Sequence, residues 1–302
     1  MDPIWQWGLD VIRFVQQIQH PAVDVFFEGV TFLGNEPFFL VFLPTVFWCI
    51  NFDVGARLGV TVLLSTYLNV SLKDLFMHPR PFEIDPSVQR YDTYGFGLPS
   101  GHAQTAVVMW GVLAAEIRRR WAWVIAIVLM VLIGFSRIYL GVHFPTDVLL
   151  GWIVGVLVLG LYVWREREIE SWLARRSIAA QLALAAGVPL VLVLLHASEN
   201  TVISMGVLLG LGIGGVLAVH FVPFTAEGPL WQRVLRFVVG VIGLLALYVG
   251  LKAVFPAEGE RYYALLRFVR YAITGFWGAL GAPWVFKLLG IAGERGLSEG
   301  GE

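Results

Sequence analysis

Charged residues cut this chain into long apolar stretches. Dividing it at every Asp, Glu, Lys and Arg leaves nine uncharged runs of fifteen residues or more: 37–52, 58–72, 93–115, 121–136, 148–164, 177–198, 200–226, 237–251 and 271–286. A bilayer core needs about 20 mostly apolar residues per helix. The shorter runs reach that length when a terminal charge snorkels to the interface. The pattern predicts an all-α, polytopic integral membrane bundle of eight or nine transmembrane helices. These lie at about 36–51, 55–77, 100–118, 121–140, 146–165, 178–197, 201–222, 231–252 and 265–290. A barrel is excluded because strand alternation is absent; Val124–Leu132 is continuously apolar.

Ahead of the first run, Ile4, Trp5, Leu9, Ile12, Val15 and Ile18 recur at helical spacing behind an Asp2-Pro3 start. This segment is too polar to span and predicts an amphipathic helix lying along the interface. Residues 21–35 continue as a polar-faced segment that turns at Gly34-Asn35. Segment 78–99 is polar, with four prolines, Glu83, Asp85 and Asp92. Residues 166–176 read as charged surface and the Gly/Glu-rich tail from Gly293 as frayed. The organisation predicted is 1–35 as N-terminal amphipathic helices, 36–165 as a catalytic helical core and 166–302 as a C-terminal transmembrane extension. Gly151/Gly155 and Gly206/Gly210 are small-xxx-small pairs, read as close helix packing.

Composition narrows the class. Hydrophobic residues make up 58% and charged residues 14%, with a mean hydropathy of +0.74. Ordinary soluble domains carry about 25% charged residues, so a soluble globular enzyme and a disordered chain are excluded. A formal charge of −1 offers no footprint for nucleic acid. The single cysteine, Cys49, can form no intrachain disulfide. Met1-Asp2-Pro3 has no basic n-region, so no signal peptide is predicted. Placing Arg118–Arg120 in the cytoplasm puts 12 of the 21 basic residues on that side. Segment 78–99 and the turn at 137–147 then face the periplasm, the lumen or the outside of the cell; in a bacterium the membrane would be the cell membrane.

Three stretches do not belong in an inert bundle: Lys73–Pro81 (KDLFMHPRP), Pro99–His102 (PSGH) and Ser136–Asp147 (SRIYLGVHFPTD). Each sits at a predicted helix end, and helix parity puts all three on one face. A charge at mid-bilayer costs at least about 2.5 kcal/mol, so charges gathered at the membrane edge call for a function. Lys73, Arg80 and Arg137 supply positive charge and forked donors suited to phosphate. Ser100 and Gly101 open a helix whose N–H groups favour an anion. His102 and His143 are available for nucleophilic and acid–base work. Asp147, four residues after His143, reaches its imidazole if the turn is helical. Together these read as a phosphate cage around a His/His/Asp centre.

The pattern KxxxxxxRP, PSGH and SRxxxxxHxxxD resembles the type 2 phosphatidic acid phosphatases (PAP2), the lipid phosphate phosphatase superfamily. The match covers about residues 36–165. LGNEPFFLVFLP, LKDLFMHPRP and YGFGLPSGHA are similar to the sphingosine-1-phosphate phosphatase branch and its bacterial relatives. The resemblance implies a metal-independent phosphoric monoester hydrolase without cofactor. In it His143 is the nucleophile that forms a phosphohistidine and Asp147 orients it. His102 protonates the leaving alkoxide and then activates water. Lys73, Arg80, Ser100, Gly101 and Arg137 hold the phosphoryl oxygens. The implied partner is a lipid phosphate in the bilayer: a sphingoid base phosphate, phosphatidic acid, phosphatidylglycerophosphate or undecaprenyl diphosphate. Delivery of the phosphate to a lipid acceptor uses the same residues.

His78 lies inside the signature gap and is read as a possible headgroup contact. Asp85 and Arg90 are read, with Asp92, as parts of a polar lid. His20, His196 and His220 are read as structural. A zinc site at His102, His143 and Asp147 is disfavoured by the surrounding cations and by the lack of HExxH or CxxC spacing. A transporter using 170–302 is disfavoured by the scarcity of intramembrane charges there.

Overall fold

A computed structural model describes residues 2–293, and the tail beyond Gly293 with Arg295 lies outside the described residues. The described residues are helical, without strands. In chain order the helices are α1 (Pro3–Val15), α2 (Pro21–Phe32), α3 (Glu36–Thr45, continued as a π-turn over Val46–Ile50), α4 (Phe52–Phe76), a short α5 (Pro81–Ile84), α6 (Gly101–Ile117), α7 (Arg120–Tyr139), α8 (Pro145–Ala174), α9 (Ile178–Leu195), α10 (Glu199–Phe221), α11 (Leu230–Val254), α12 (Tyr263–Phe276) and α13 (Ala282–Leu288).

Five of them, α7 to α11, are long and apolar enough to cross a membrane; α2 with α3, bent at the break between them, makes a sixth if the pair is one span. The chain is therefore a multi-pass membrane protein. The expected eight or nine spans are not all met by this measure. Helix α6 has 17 residues. Arg57, Ser65, Asn69 and Ser71 dilute α4, and α12 carries Arg267 and Arg270 before it passes into a π-turn. Helix α8 is longer than the apolar run that predicts it. It continues through WREREIESWLA to Ala174, because Glu and Arg are good helix formers and Ser177 caps the next helix.

The chain forms two compact units, Met1–Leu40 with Ser65–Arg167, and Val41–Leu64 with Glu168–Glu302. In the first, α1 starts as its sequence predicts: Asp2 accepts from the Ile4 N–H at 2.8 Å and Pro3 takes the first helical position. Its buried stripe of Gly8, Leu9 and Ile12 packs on protein, with Leu9 and Ile12 against Val88 and Phe144. Ile4, Trp7 and Phe14 stay exposed. Gln16 fixes the end of this segment, donating to the carbonyls of Val88 (2.7 Å) and Tyr139 (2.9 Å). Helices α6 and α8 meet at the small pair Gly151/Gly155. A Cβ there would lie 2.6 Å from the Ser100 carbonyl and 2.9 Å from that of Gln104. The second unit is built around Phe47, Trp48, Phe224 and Phe286. In it Gly206 and Gly210 let α10 approach α12 just as closely, with a Cβ on Gly210 falling 1.9 Å from the Ala272 carbonyl.

Candidate active site

The three signature stretches lie together in the first unit. Pro145 opens α8, and Asp147 sits two residues on. Its carboxylate turns back: Oδ2 accepts the Phe144 N–H at 2.9 Å, half of a capping box. The same oxygen lies 3.3 Å from His143 Nδ1. His143 therefore precedes the helix, and a helix cap, not stacking along a helical face, brings carboxylate and imidazole together. The Ser100 N–H donates to the Asp147 carbonyl at 2.9 Å, tying the α6 start to the α8 start. Ser100 has extended backbone and caps α6 by accepting from the Ala103 N–H at 3.5 Å.

Arg80 is buried and spreads its fork over two loops. Its Nε donates to the Gly95 carbonyl (2.6 Å), Nη2 to Tyr94 (2.9 Å) and Nη1 to Val142 (2.9 Å). Nη1 also lies 3.3 Å from His143 Nε2. A guanidinium only donates, so Nε2 presents its lone pair and Nδ1 carries the proton toward Asp147. Burial first, then the charges of Arg80, Lys73 and Arg137, holds the His143 imidazole well below its ordinary range. The ring is a neutral base with its reactive nitrogen set toward the cations.

Lys73, in the last turn of α4, donates to the carbonyls of Phe96 and Gly97. Arg137, near the end of α7, is 1% exposed, donates to Thr31 Oγ1, and stands 5.4 Å from the Tyr91 ring centroid. Its Nε has no hydrogen-bond partner among the described residues. Gly101 opens α6 beside Asn69: a Cβ on it would lie 3.1 Å from Asn69 Oδ1. His102 Nε2 lies 2.7 Å from Asn35 Oδ1, and Asn35 donates onward to the Tyr91 hydroxyl at 3.0 Å. Among the described residues, three cations thus gather around the one buried carboxylate, Asp147, with Asp74 and Glu83 nearer the surface, a setting that favours an anion.

Two of the expected lid residues are not brought to this cluster. Asp85 caps a 3₁₀ turn through Ser87 and pairs with Arg13 at 2.7 Å. Hydrogen bonds from Ser87 and Arg13 hold its carboxyl down at about 2. Arg90 is exposed and is tied to the Leu140 carbonyl only by its backbone N–H. The carbonyls of Tyr94–Gly97, by contrast, do cover Arg80 and Lys73. His78 lies against the back of Asp147, with Nδ1 3.5 Å from Oδ1. Thr31, Asn35, Asn69 and Tyr91 had no sequence signal, since each acts on a partner far along the chain.

Gly97 is a further residue that only the geometry identifies. A Cβ there would lie 2.9 Å from Asp147 Oδ2 and 3.1 Å from the Pro79 carbonyl. Gly97→Ala should displace the carboxylate and lower turnover about 10- to 100-fold, as small misplacements at reacting groups do. Steady-state kinetics on a variant with wild-type melting would check this, and unchanged turnover would remove Gly97 from the site.

Residues 55–170 match the family model described as PAP2 superfamily, and 202–294 match that described as PAP2 superfamily phosphatase, transmembrane extension. The chain is 32% identical to phosphatidylglycerophosphatase B of Bacillus subtilis, over 51% of this chain and 81% of that protein. It is 27% identical to lipid phosphate phosphatase delta of Arabidopsis thaliana, over 56% of this chain and 44% of that protein. It is 33% identical to sphingosine-1-phosphate phosphatase 1 of Rattus norvegicus, over 44% of this chain and 32% of that protein. The chain thus spans less than half the length of these last two.

Proposed function

The chain belongs to the PAP2 superfamily, and from that premise we propose that it is a membrane phosphatase that hydrolyses a lipid phosphomonoester through a phosphohistidine. The observation that carries the reading is the His143 imidazole, held between Asp147 at Nδ1 and Arg80 at Nε2. On phosphate binding the Arg80 Nη1 donor transfers to a phosphoryl oxygen and frees the Nε2 lone pair. Nε2 attacks phosphorus as the bond to the lipid oxygen breaks, and protonated His102 gives its proton to the leaving alkoxide. Asp147 stabilises the imidazolium. Neutral His102 then takes a proton from water, which attacks the phosphohistidine and releases inorganic phosphate. Lys73, Arg80, Arg137 and the Ser100–Gly101 helix start hold the equatorial oxygens. Phosphoryl transfer is mostly positioning and charge stabilisation, which such a cage supplies.

The substrate class is a sphingosine-1-phosphate-like or phosphatidic-acid-like lipid. The reading is supported by the cage at helix ends, where a headgroup can enter while its tail stays in lipid. The rat relative, named for sphingosine-1-phosphate, and the Arabidopsis relative, named for lipid phosphate in general, support it. In this reading the site faces the noncytoplasmic side, which the distribution of basic residues favours. In this reading α4, α6 and the α12–α13 segment add to the apolar helices to make eight or nine spans. Residues 36–165 form the catalytic core and 166–302 the extension, with the exposed apolar residues of α1 at the interface.

Phosphate release in detergent from sphingosine-1-phosphate, phosphatidic acid, phosphatidylglycerophosphate and undecaprenyl diphosphate tests this. Release from either of the first two is expected. Release only from undecaprenyl diphosphate would reassign the substrate to the isoprenyl diphosphates. Transfer of label to an added lipid acceptor, without free phosphate, would make it a phosphotransferase. No turnover of any of the four would overturn the reading.

A further inference from the structure

Asp147 has a second oxygen, and the reaction described above does not use it. Oδ2 is engaged by the Phe144 N–H and His143. Among the described residues, buried Oδ1 has no hydrogen-bond partner of ordinary geometry, and neither has His78 Nδ1. The two stand 3.5 Å apart. A buried carboxylate oxygen left unpaired is costly, so the protonation of His78 decides whether this contact helps or harms.

Trp5 on α1 settles that protonation. Its indole Nε1 lies 2.9 Å from His78 Nε2. An indole nitrogen only donates, so Nε2 must offer a lone pair and the single ring proton must sit on Nδ1. That proton then faces Asp147 Oδ1. The opposite tautomer would set two donors against each other at Trp5 and two acceptors against each other at Asp147. The His78 ring is also held in place by edge contacts with Trp5 and Phe144, at centroid distances of 5.6 and 5.8 Å. Burial lowers the ring's pKa, opposed by the neighbouring Pro79 backbone carbonyl, and the net lowering is consistent with the neutral form.

We infer that His78 is a positioning residue: Trp5 fixes its tautomer, its Nδ1–H holds the free oxygen of Asp147, and α1 thereby sets the orientation of the His143–Asp147 pair. The contact is long, as hydrogen bonds at reaction centres often are before substrate binds. The arrangement repeats that of His143. In each case a donor-only group takes the Nε2 lone pair and the Nδ1 proton is directed at one oxygen of the same carboxylate. This inference rests on His143 and Asp147 being the reaction centre. It replaces the headgroup contact read for His78 from the sequence.

Two measurements test it. Nitrogen-15 shifts of the histidine rings in detergent-solubilised protein, assigned with His78→Asn, should show His78 protonated on Nδ1. Trp5→Phe should turn that signal into a tautomer mixture. Protonation on Nε2 in the wild type would overturn the inference whether or not a substrate is in hand. In kinetics on the panel lipid with the largest phosphate release, His78→Phe should lower kcat about 10- to 100-fold with KM within about twofold, as misorientation of a reacting group does. His78→Asn, whose side-chain amide can donate from near the Nδ1 position, should recover most of the loss. Trp5→Phe should lower kcat less, and adding it to His78→Phe should cost nothing more, since the two act as one unit. A His78→Phe variant with wild-type kcat, or with KM alone raised, would sink the inference. Should His78→Phe fail to fold, the Trp5→Phe variant and the rescue by asparagine still decide. Activity surviving in His143→Ala would instead break the reaction-centre reading, and the tautomer would then report on the hydrogen-bond chain by itself.

Discussion

Replacing His143 by alanine is expected to lower phosphate release at least ~10⁴-fold, the scale seen when a catalytic triad member is removed. The argument is geometric. His143 Nε2 is held among the cations, its other nitrogen is occupied by Asp147, and the ring is 2% exposed. Without it, water would have to attack phosphorus directly in a cage built to receive an imidazole. Alanine also leaves a void in a buried site, so lost activity alone does not separate chemistry from folding. His143→Asn does separate them. Its side-chain amide can occupy the place of Nδ1 and keep a donor on Asp147 while removing Nε2. Both variants should be inactive, and the asparagine variant should melt close to the wild type. Brief reaction with a labelled lipid phosphate, followed by denaturation in base, should leave acid-labile phosphate on the wild type and none on either variant. Retention of more than a tenth of the activity in His143→Asn would mean that another group attacks.

The grouping of the candidate site was legible because charge and membrane are in conflict. Lys73, Arg80, Arg137 and Asp147 break apolar runs that would otherwise be inert, and their spacing around Ser100-Gly101 and two histidines leaves few uses. The helix order was legible for the same reason, since the uncharged runs mark most of the helices seen. Boundaries set by polar helix formers were not: α8 runs on to Ala174 through alternating Arg and Glu. Nor was the support of the site. Asn35 reaches His102 across 67 positions, and Thr31 reaches Arg137 across 106. Such contacts follow from packing and have no local periodicity. Asp85 illustrates the opposite error. In sequence it looks like part of the polar lid, yet its charge is spent on Arg13 and a local cap. Trp5 enters the sequence reading only as one position of an apolar helical face, and its indole N–H gave no sign of its distant partner.

Arg80→Lys, a substitution that keeps the charge, is expected to lower kcat/KM about 10²- to 10³-fold, the scale of losing one donor to a developing oxyanion. In the resting site the guanidinium serves three carbonyls at once, on Tyr94, Gly95 and Val142, and also approaches His143 Nε2. These acceptors lie on two separate loops. A planar fork spans them, whereas an ammonium is a single point on a flexible stem. Lysine could satisfy one loop or the other, and loss of the donor to the buried Val142 carbonyl would cost about 1–3 kcal/mol. It would also release the lone pair of His143 from the contact that fixes its tautomer. The variant should therefore lose thermal stability and catalysis together, and the two losses can be told apart with orthovanadate, a phosphate mimic that needs the cage but not the leaving group. If Arg80 holds the phosphoryl oxygens, the inhibitory concentration of vanadate should rise along with the fall in kcat/KM. A lower melting temperature with unchanged vanadate inhibition would confine Arg80 to clamping the two loops. The phosphoryl group would then rest on Lys73, Arg137 and the α6 start alone.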